Sequence, residues 1–189
     1  MAEGKGSVCN ARVLFAIVRS VRLLKQSKAA GKKSRRITNM TIKEYFRNDR
    51  YAALSGVELL EVEPGRARAK MEIRDTHLNS CGSVQGGAIF TLADYAFAAA
   101  ANAFGNLAVS VESSIRFFKS ASTGTFFAEA RVVNNHAKLA TYEARVTNEK
   151  GELVALFTAT AYRKDTRLPF AQGRAGAGVS GRAPGAAAG

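Results

Sequence analysis

The stretch HLNSCGSVQGGAIFTLADYAFAAAANAF, His77 to Phe104, decides how this chain is read. A polar, glycine-containing loop runs into an apolar segment that holds one carboxylate, Asp94. Taken as a helix from about Gly86, the segment is apolar or small on nearly every side: Ala88, Ile89, Phe90, Leu92, Ala93, Ala96, Phe97 and the run Ala98 to Ala101. Such a helix is expected to be buried. An ionised carboxylate inside it is costly unless it finds donors or shifts its pKa, so Asp94 needs a reason to be there. Thr91, Asp94 and Tyr95 fall at i, i+3 and i+4, on one stripe. Gly86 and Gly87 carry no side chains, so a ligand or another segment can approach N–H groups that the helix start leaves unpaired. Those donors favour a developing negative charge. The stretch therefore joins a candidate oxyanion site to a carboxylate about two turns on. Two plainer readings stand beside it: a core helix with Asp94 held in a structural hydrogen bond, and a membrane span. Asp94 near the middle, the many alanines and the lack of flanking anchors argue against the span.

Outward from this stretch, the chain reads as one domain with tails. The 189 residues are 47% hydrophobic with Phe 11, enough for a packed core without any Trp. The net charge of +13 suggests nucleic acid until it is placed along the chain. Ten Lys or Arg fall in residues 1–39 against Glu3 alone, and three Arg fall in residues 165–189 against Asp165. Residues 40–164 carry only +2, so no basic nucleic-acid-binding face is indicated. Two cysteines, Cys9 and Cys81, make neither a disulfide framework nor a zinc site, and no metal or cofactor is expected. A reducing compartment fits, and a cytoplasmic location is expected.

Residues 1–39 combine the apolar run Val13–Val18 with scattered Arg and Lys. They read as an extension ahead of the start-like Met40, as an organellar transit peptide, or as a secretory leader lacking a clean cleavage site. From Thr41 a short helix is expected over residues 41–56, with Glu44 at capping-box spacing. A hairpin follows: Val57 to Glu63, a Pro64-Gly65 turn, then Arg66 to Ile73 with Ala67, Ala69, Met71 and Ile73 inward. Four more strands are expected at Leu107–Lys119, Thr125–Val133, Leu139–Thr147 and Glu152–Arg163, each beside the one before it. One long helix with six strands predicts an α+β fold in which an antiparallel sheet curls around the helix. The folded domain is expected over residues 40–165. Residues 166–189, rich in Gly and Ala, form a tail with almost nothing to bury.

His77-Leu78-Asn79, Gln85-Gly86-Gly87 and Leu92-Ala93-Asp94 together resemble the motifs of the PaaI-type hotdog-fold thioesterases. The similarity runs from about Met40 to Lys164 and includes Ile115-Arg116-Phe117-Phe118 and Gly151 to Ala155. The resemblance implies a central helix wrapped by an antiparallel sheet, and homodimers or homotetramers with sites shared between subunits. It also implies hydrolysis of an acyl-CoA thioester, with an aryl or short- to medium-chain acyl group. On this reading the Gly87 N–H polarises the carbonyl, a partner subunit's Asp94 activates water or attacks directly, and Asn79 orients the water or acyl group. Gln85, Gly86, Thr91, Tyr95, His77, Arg116 and Phe117 are the expected substrate contacts. Gln85 stands where many members have His, and it cannot carry a proton near neutral pH.

Other residues have plainer readings. His136 sits in a turn, and Cys81 has no identifiable base partner. Lys119, Lys138, Arg163 and Lys164 are outward basic residues of the kind that meet solvent as readily as a phosphate. The rival functions are a non-catalytic acyl-CoA-binding hotdog protein, a surface binder acting through residues 1–39, and a hotdog hydratase. The last lacks its usual paired His and acid on the helix. Neither nucleic acid nor membrane is an expected partner of the folded domain.

Overall fold

The computed structural model describes residues 40–172. The expectations for residues 1–39 and for 173–189 lie outside the described residues. The capping box forms as the spacing predicts. Thr41 Oγ1 accepts from the Glu44 N–H at 3.2 Å, and Glu44 Oε2 accepts from the Thr41 N–H at 2.6 Å. The single helix expected over 41–56 is instead two, α1 (Ile42–Phe46) and α2 (Arg50–Leu54). Asp49 causes the break, because its Oδ1 accepts from Tyr51 N at 3.1 Å and Ala52 N at 3.0 Å and so starts a new helix.

Strands β1 (Val57–Glu63) and β2 (Arg66–Glu72) form the expected hairpin. Gly65 closes it at φ 84, and a Cβ there would meet Val132 Cγ1 at 2.8 Å. Ala67, Ala69 and Met71 are buried as the alternation requires, and Ile73, just past the strand, packs half-buried against the core. The central helix α3 (Gly86–Asn102) follows, then β3 (Asn106–Phe117), β4 (Thr125–Asn135), β5 (Leu139–Thr147) and β6 (Leu153–Arg167). All pairings are antiparallel, in the order β1-β2-β4-β5-β6-β3.

That order corrects one expectation. β3 does not pair with β4 but closes the far edge against β6, while β4 lies beside β2. Residues 118–124 cross the end of the sheet beneath the start of α3, where the Val84 N–H donates to Ala121 O at 2.8 Å. The sheet wraps α3, which touches all six strands. Ala93, Ala96, Ala99 and Ala100 on the helix are fully buried, as are Ala69, Ala128, Ala130, Ala144 and Ala155 on the strands. Phe97 packs edge-on against Tyr142 at 5.2 Å, and Phe90 against Phe157 at 5.2 Å. The helix is not buried all round, however. Thr91, Asp94 and Ala98 are half-buried and Gly87 is exposed, which leaves one stripe uncovered.

The folded unit also runs past Asp165. β6 continues to Arg167, the Leu168 N–H donates to Gly105 O at 2.9 Å, and Leu168 and Ala171 are buried. A Cβ on Gly105, at φ 90, would come within 2.7 Å of Ala171 Cβ. No helix among the described residues is long and apolar enough to cross a membrane.

Buried Asn102 ties the helix end to β3: its Nδ2 donates to Ala98 O at 2.9 Å and Ala108 O at 3.1 Å, and its Oδ1 accepts from the Ala108 N–H at 2.9 Å. Asn102→Ala strands two buried backbone groups, so urea unfolding should show a loss of about 2 kcal/mol or more with an unchanged m-value. A chain ended at Asp165 should likewise unfold at lower urea than one ended at Gln172, because it lacks the Leu168 and Ala171 contacts.

Candidate active site

The loop before α3 is built on Asn79. Its Oδ1 accepts from Cys81 N at 2.9 Å and Ser83 N at 3.2 Å, and its own N–H donates to Ser83 O at 2.8 Å. This holds the exposed loop in shape and leaves Nδ2 without a partner among the described residues. An unspent amide donor at the rim of a cleft can orient a water or a carbonyl.

Gln85 is the N-cap of α3, and its Oε1 accepts from the Gly87 N–H. The donor expected to meet a carbonyl is thus occupied by the chain's own side chain. Gln85 is exposed, so a change of side-chain rotamer releases it. Gly86 is needed for a separate reason: a Cβ there would sit 3.0 Å from the Phe117 ring. The cleft beside it has a volume of about 600 Å³ and is lined by Asn79, Ser83, Val84, Gly86, Ile89, Phe117, Phe118, Lys119 and Ser120. Its floor is apolar and its rim carries one cation and several hydroxyl and amide groups, the usual make-up of a small-molecule site.

On the helix, the Thr91 hydroxyl donates to Gly87 O at 2.8 Å. Asp94, on the uncovered stripe, accepts no hydrogen bond among the described residues. Burial first, and the nearby negative charge of Asp49 second, raise its carboxyl above the usual range. A structural tether for Asp94 is therefore absent among the described residues.

Three expected contacts go elsewhere. Buried Tyr95 donates from its hydroxyl to Phe46 O at 3.1 Å, fastening α1 to the helix, and its ring lies 5.6 Å from that of Phe46. His77 is also buried, its Nδ1 accepting from the Arg74 N–H at 3.1 Å and its Nε2 unpartnered. It shapes the turn and does not open to the cleft. Arg116 pairs with Leu156 and Phe117 with Ala155, so the two point to opposite faces of β3 and only Phe117 lines the cleft. Sequence reasoning did not bring the charge of Asp49 within reach of Asp94, and it weighed Lys119, which stands at the cleft rim paired with Glu152, only as an outward basic residue that could meet a phosphate or solvent. The Asn48-Asp49 pair inside an otherwise helical run was the available signal for the first.

Comparison with known proteins agrees with this geometry. The model of the thioesterase superfamily matches residues 82–155, which span the end of the loop, α3 and the strands to the start of β6. A putative esterase from Archaeoglobus fulgidus is 40% identical over 130 residues, covering 68% of this chain and 84% of that protein. Acyl-coenzyme A thioesterase PaaI of Escherichia coli is 32% identical over 62% of this chain and 85% of its own length. The structure of the Escherichia coli PaaI protein from the phenylacetic acid degradation operon superposes with a TM-score of 0.63 over 65% of this chain and 90% of that one, at 31% identity. A Streptococcus mutans protein solved bound to acetyl-CoA superposes at 0.57 over 59% and 91%, at 29% identity. With the wrapped helix, the capped Gly-Gly start and the unpaired carboxylate in place, this chain belongs to the thioesterase superfamily as a PaaI-type hotdog thioester hydrolase.

Proposed function

We propose that the protein hydrolyses acyl-CoA thioesters to free acid and coenzyme A, at sites shared between two subunits. One distance carries the shared site. Gly87 and Asp94 are seven residues apart on α3, which at helical rise is about 10 Å. A carbonyl held at the Gly87 N–H is out of reach of the same chain's Asp94, because attack needs about 3 Å. A second copy that covers the half-open stripe brings its own carboxylate to that carbonyl, and each chain then serves two sites. The exposed edge of β3, from Ser110 to Ser114, offers unpaired backbone where two sheets can join.

In that arrangement the carbonyl oxygen takes the Gly87 N–H from Gln85, and Asp94 of the partner subunit draws a proton from water. The water oxygen bonds to the carbonyl carbon, and negative charge gathers at the Gly87 N–H. The carbon–sulfur bond then breaks, and the thiolate leaves and recovers the proton. Burial makes Asp94 a stronger base than a surface aspartate, which favours the water-activating role over direct attack. Asn79 Nδ2 orients the water. The cleft walls of Val84, Ile89, Phe117 and Phe118 suit an aryl or short- to medium-chain acyl group. Cytoplasmic residence suits the exposed thiol of Cys81.

Asp94→Asn keeps size and removes the base, so turnover should fall roughly 100-fold or more, about 3 kcal/mol, in a thiol-release assay. A variant within a few-fold of wild type would sink the assignment. The same substitution should stabilise the protein. With its carboxyl raised in the fold, Asp94 contributes stability below the ordinary carboxylate range and loses it as pH rises through the raised value. Melting curves should place Asp94→Asn above wild type at neutral pH, with the gap closing on acidification. Shared sites also require at least a dimer. Co-assembly of inactive Asp94→Asn and Asn79→Ala subunits should restore part of the activity, and an active monomer by light scattering would exclude the shared site.

A further inference from the structure

Both donors that the proposed reaction uses depend on one small loop, residues 77–85. Its two arms run antiparallel: the Asn79 N–H donates to Ser83 O at 2.8 Å, Leu78 bridges Val84, and the Gln85 N–H donates to His77 O at 2.8 Å. That last bond closes the neck. Beyond it on one arm stands Asn79, and on the other Gln85 caps α3 and holds the Gly87 N–H. The Gln85 arm is anchored by the Val84 N–H, which donates to Ala121 O at 2.8 Å. The other arm is anchored by the His77 side chain. Arg74 and His77 exchange two bonds, the Arg74 N–H donating to His77 Nδ1 at 3.1 Å and the His77 N–H to Arg74 O at 2.8 Å. Arg74 lies just past the end of β2, where the Ile73 N–H donates to Gly124 O at 2.9 Å, so these bonds tie the neck to the sheet.

We propose that His77 is a positioning residue for the reaction: its imidazole locks the neck of the loop to the end of β2, and so sets the spacing between the Asn79 amide and the Gly87 N–H. The inference rests on the roles given to those two donors above, and His77 itself touches no reacting atom. The choice of residue points to this role. A ring nitrogen that accepts a hydrogen bond carries no proton, so the proton of the imidazole sits on Nε2. Nε2 is buried and has no partner among the described residues. A buried donor left without an acceptor costs stability, and a leucine at this place would avoid that cost. Leucine would fill the space but leave the Arg74 N–H unpaired and the turn unlocked. The imidazole thus holds a geometry at the expense of stability, which is the pattern expected beside a functional site.

The first test reads the tautomer. The chain has two histidines, so in the isotope-labelled full-length protein the His136→Gln variant leaves the His77 ring alone in the imidazole region of the NMR spectrum. It should show Nδ1 bare and Nε2 protonated, and a proton on Nδ1 would overturn the proposal. The second test is steady-state thiol release with the acyl-CoA hydrolysed fastest from a panel of aryl and straight-chain acyl-CoAs. His77→Leu should lower kcat about tenfold with KM held within about twofold, because misplaced donors cost turnover more than binding. His77→Asn puts Oδ1 where Nδ1 stood and should recover kcat to within about threefold of wild type. If His77→Leu folds poorly, His77→Gln, whose amide lies one bond farther out, is expected to show the same loss. In an Asn79→Ala background the His77→Leu factor should shrink to about threefold or less, since one of the two donors it places is already gone. A folded His77→Leu with wild-type kcat, a His77→Asn as impaired as His77→Leu, or an undiminished factor in the Asn79→Ala background would each reduce His77 to a core residue. Asp94→Asn read alongside separates the two ideas. If it retains activity, or if the wild type releases no thiol from any acyl-CoA of the panel, the catalytic reading fails and this inference fails with it. If Asp94→Asn is inactive while His77→Leu turns over like wild type, the role of His77 alone is overturned.

Discussion

The close approach of a six-stranded sheet to an alanine-rich helix is the contact on which the rest of this structure depends. Alanine on both sides lets backbones come near without loss of packing density, and a few large side chains, Phe97, Phe126, Tyr142 and Phe157, fill what alanine leaves open. Alanine contributes little burial energy per residue, so the arrangement stabilises the fold through the area of a sheet that wraps, and each strand must stay in register to add its share. The register is held by alternation: Ala67, Ala69 and Met71 of β2 pair with Ala130, Ala128 and Phe126 of β4, all inward. A slip of one residue would turn Arg68 and Lys70 into the helix.

Wrapping from one side has a consequence for chemistry. A single sheet cannot enclose the helix completely, and the stripe it leaves is the one that holds Gly87, Thr91, Asp94 and Ala98. That stripe combines a half-desolvated carboxylate with a helix start whose N–H is capped only by an exposed side chain. Both features cost stability in the isolated chain, and on the proposed mechanism both serve thioester hydrolysis. Stability is supplied elsewhere, by the alanine-lined sheet and by Asn102 at the far end of the helix.

Much of this was legible from residue order, because the informative signals were local. The period-two pattern of Arg66 to Glu72, the Thr41–Glu44 capping box and the Gln85-Gly86-Gly87 helix start each need only near neighbours. What failed was set by distant contacts. The place of β3 depends on which strand accepts its edge, and nothing in Asn106–Phe117 names β6 as the partner. Tyr95 was grouped with Asp94 by helical spacing, yet the difference of one residue turns it by about 100°. Its hydroxyl then meets α1, an element whose break at Asp49 was itself hidden by a good capping box upstream. Arg116 and Phe117 are a different case, since strand alternation already forbids both from facing one cleft. There the motif resemblance and the pleat disagree, and the pleat decides which side chain lines the cleft.

Gln85 shows why a departure from the family's common histidine is compatible with catalysis. Its amide oxygen accepts from the exposed Gly87 N–H, so this helix-start donor has a partner within the chain. A ground-state thioester carbonyl is a neutral acceptor like the amide it displaces, and that exchange gains little. An oxyanion is a much stronger acceptor than either, because its hydrogen bond is charge-assisted. On the proposed mechanism the cap therefore offsets binding of the substrate more than binding of the transition state. That is the direction in which an interaction must differ between the two states if it is to raise turnover without tightening the ground-state complex.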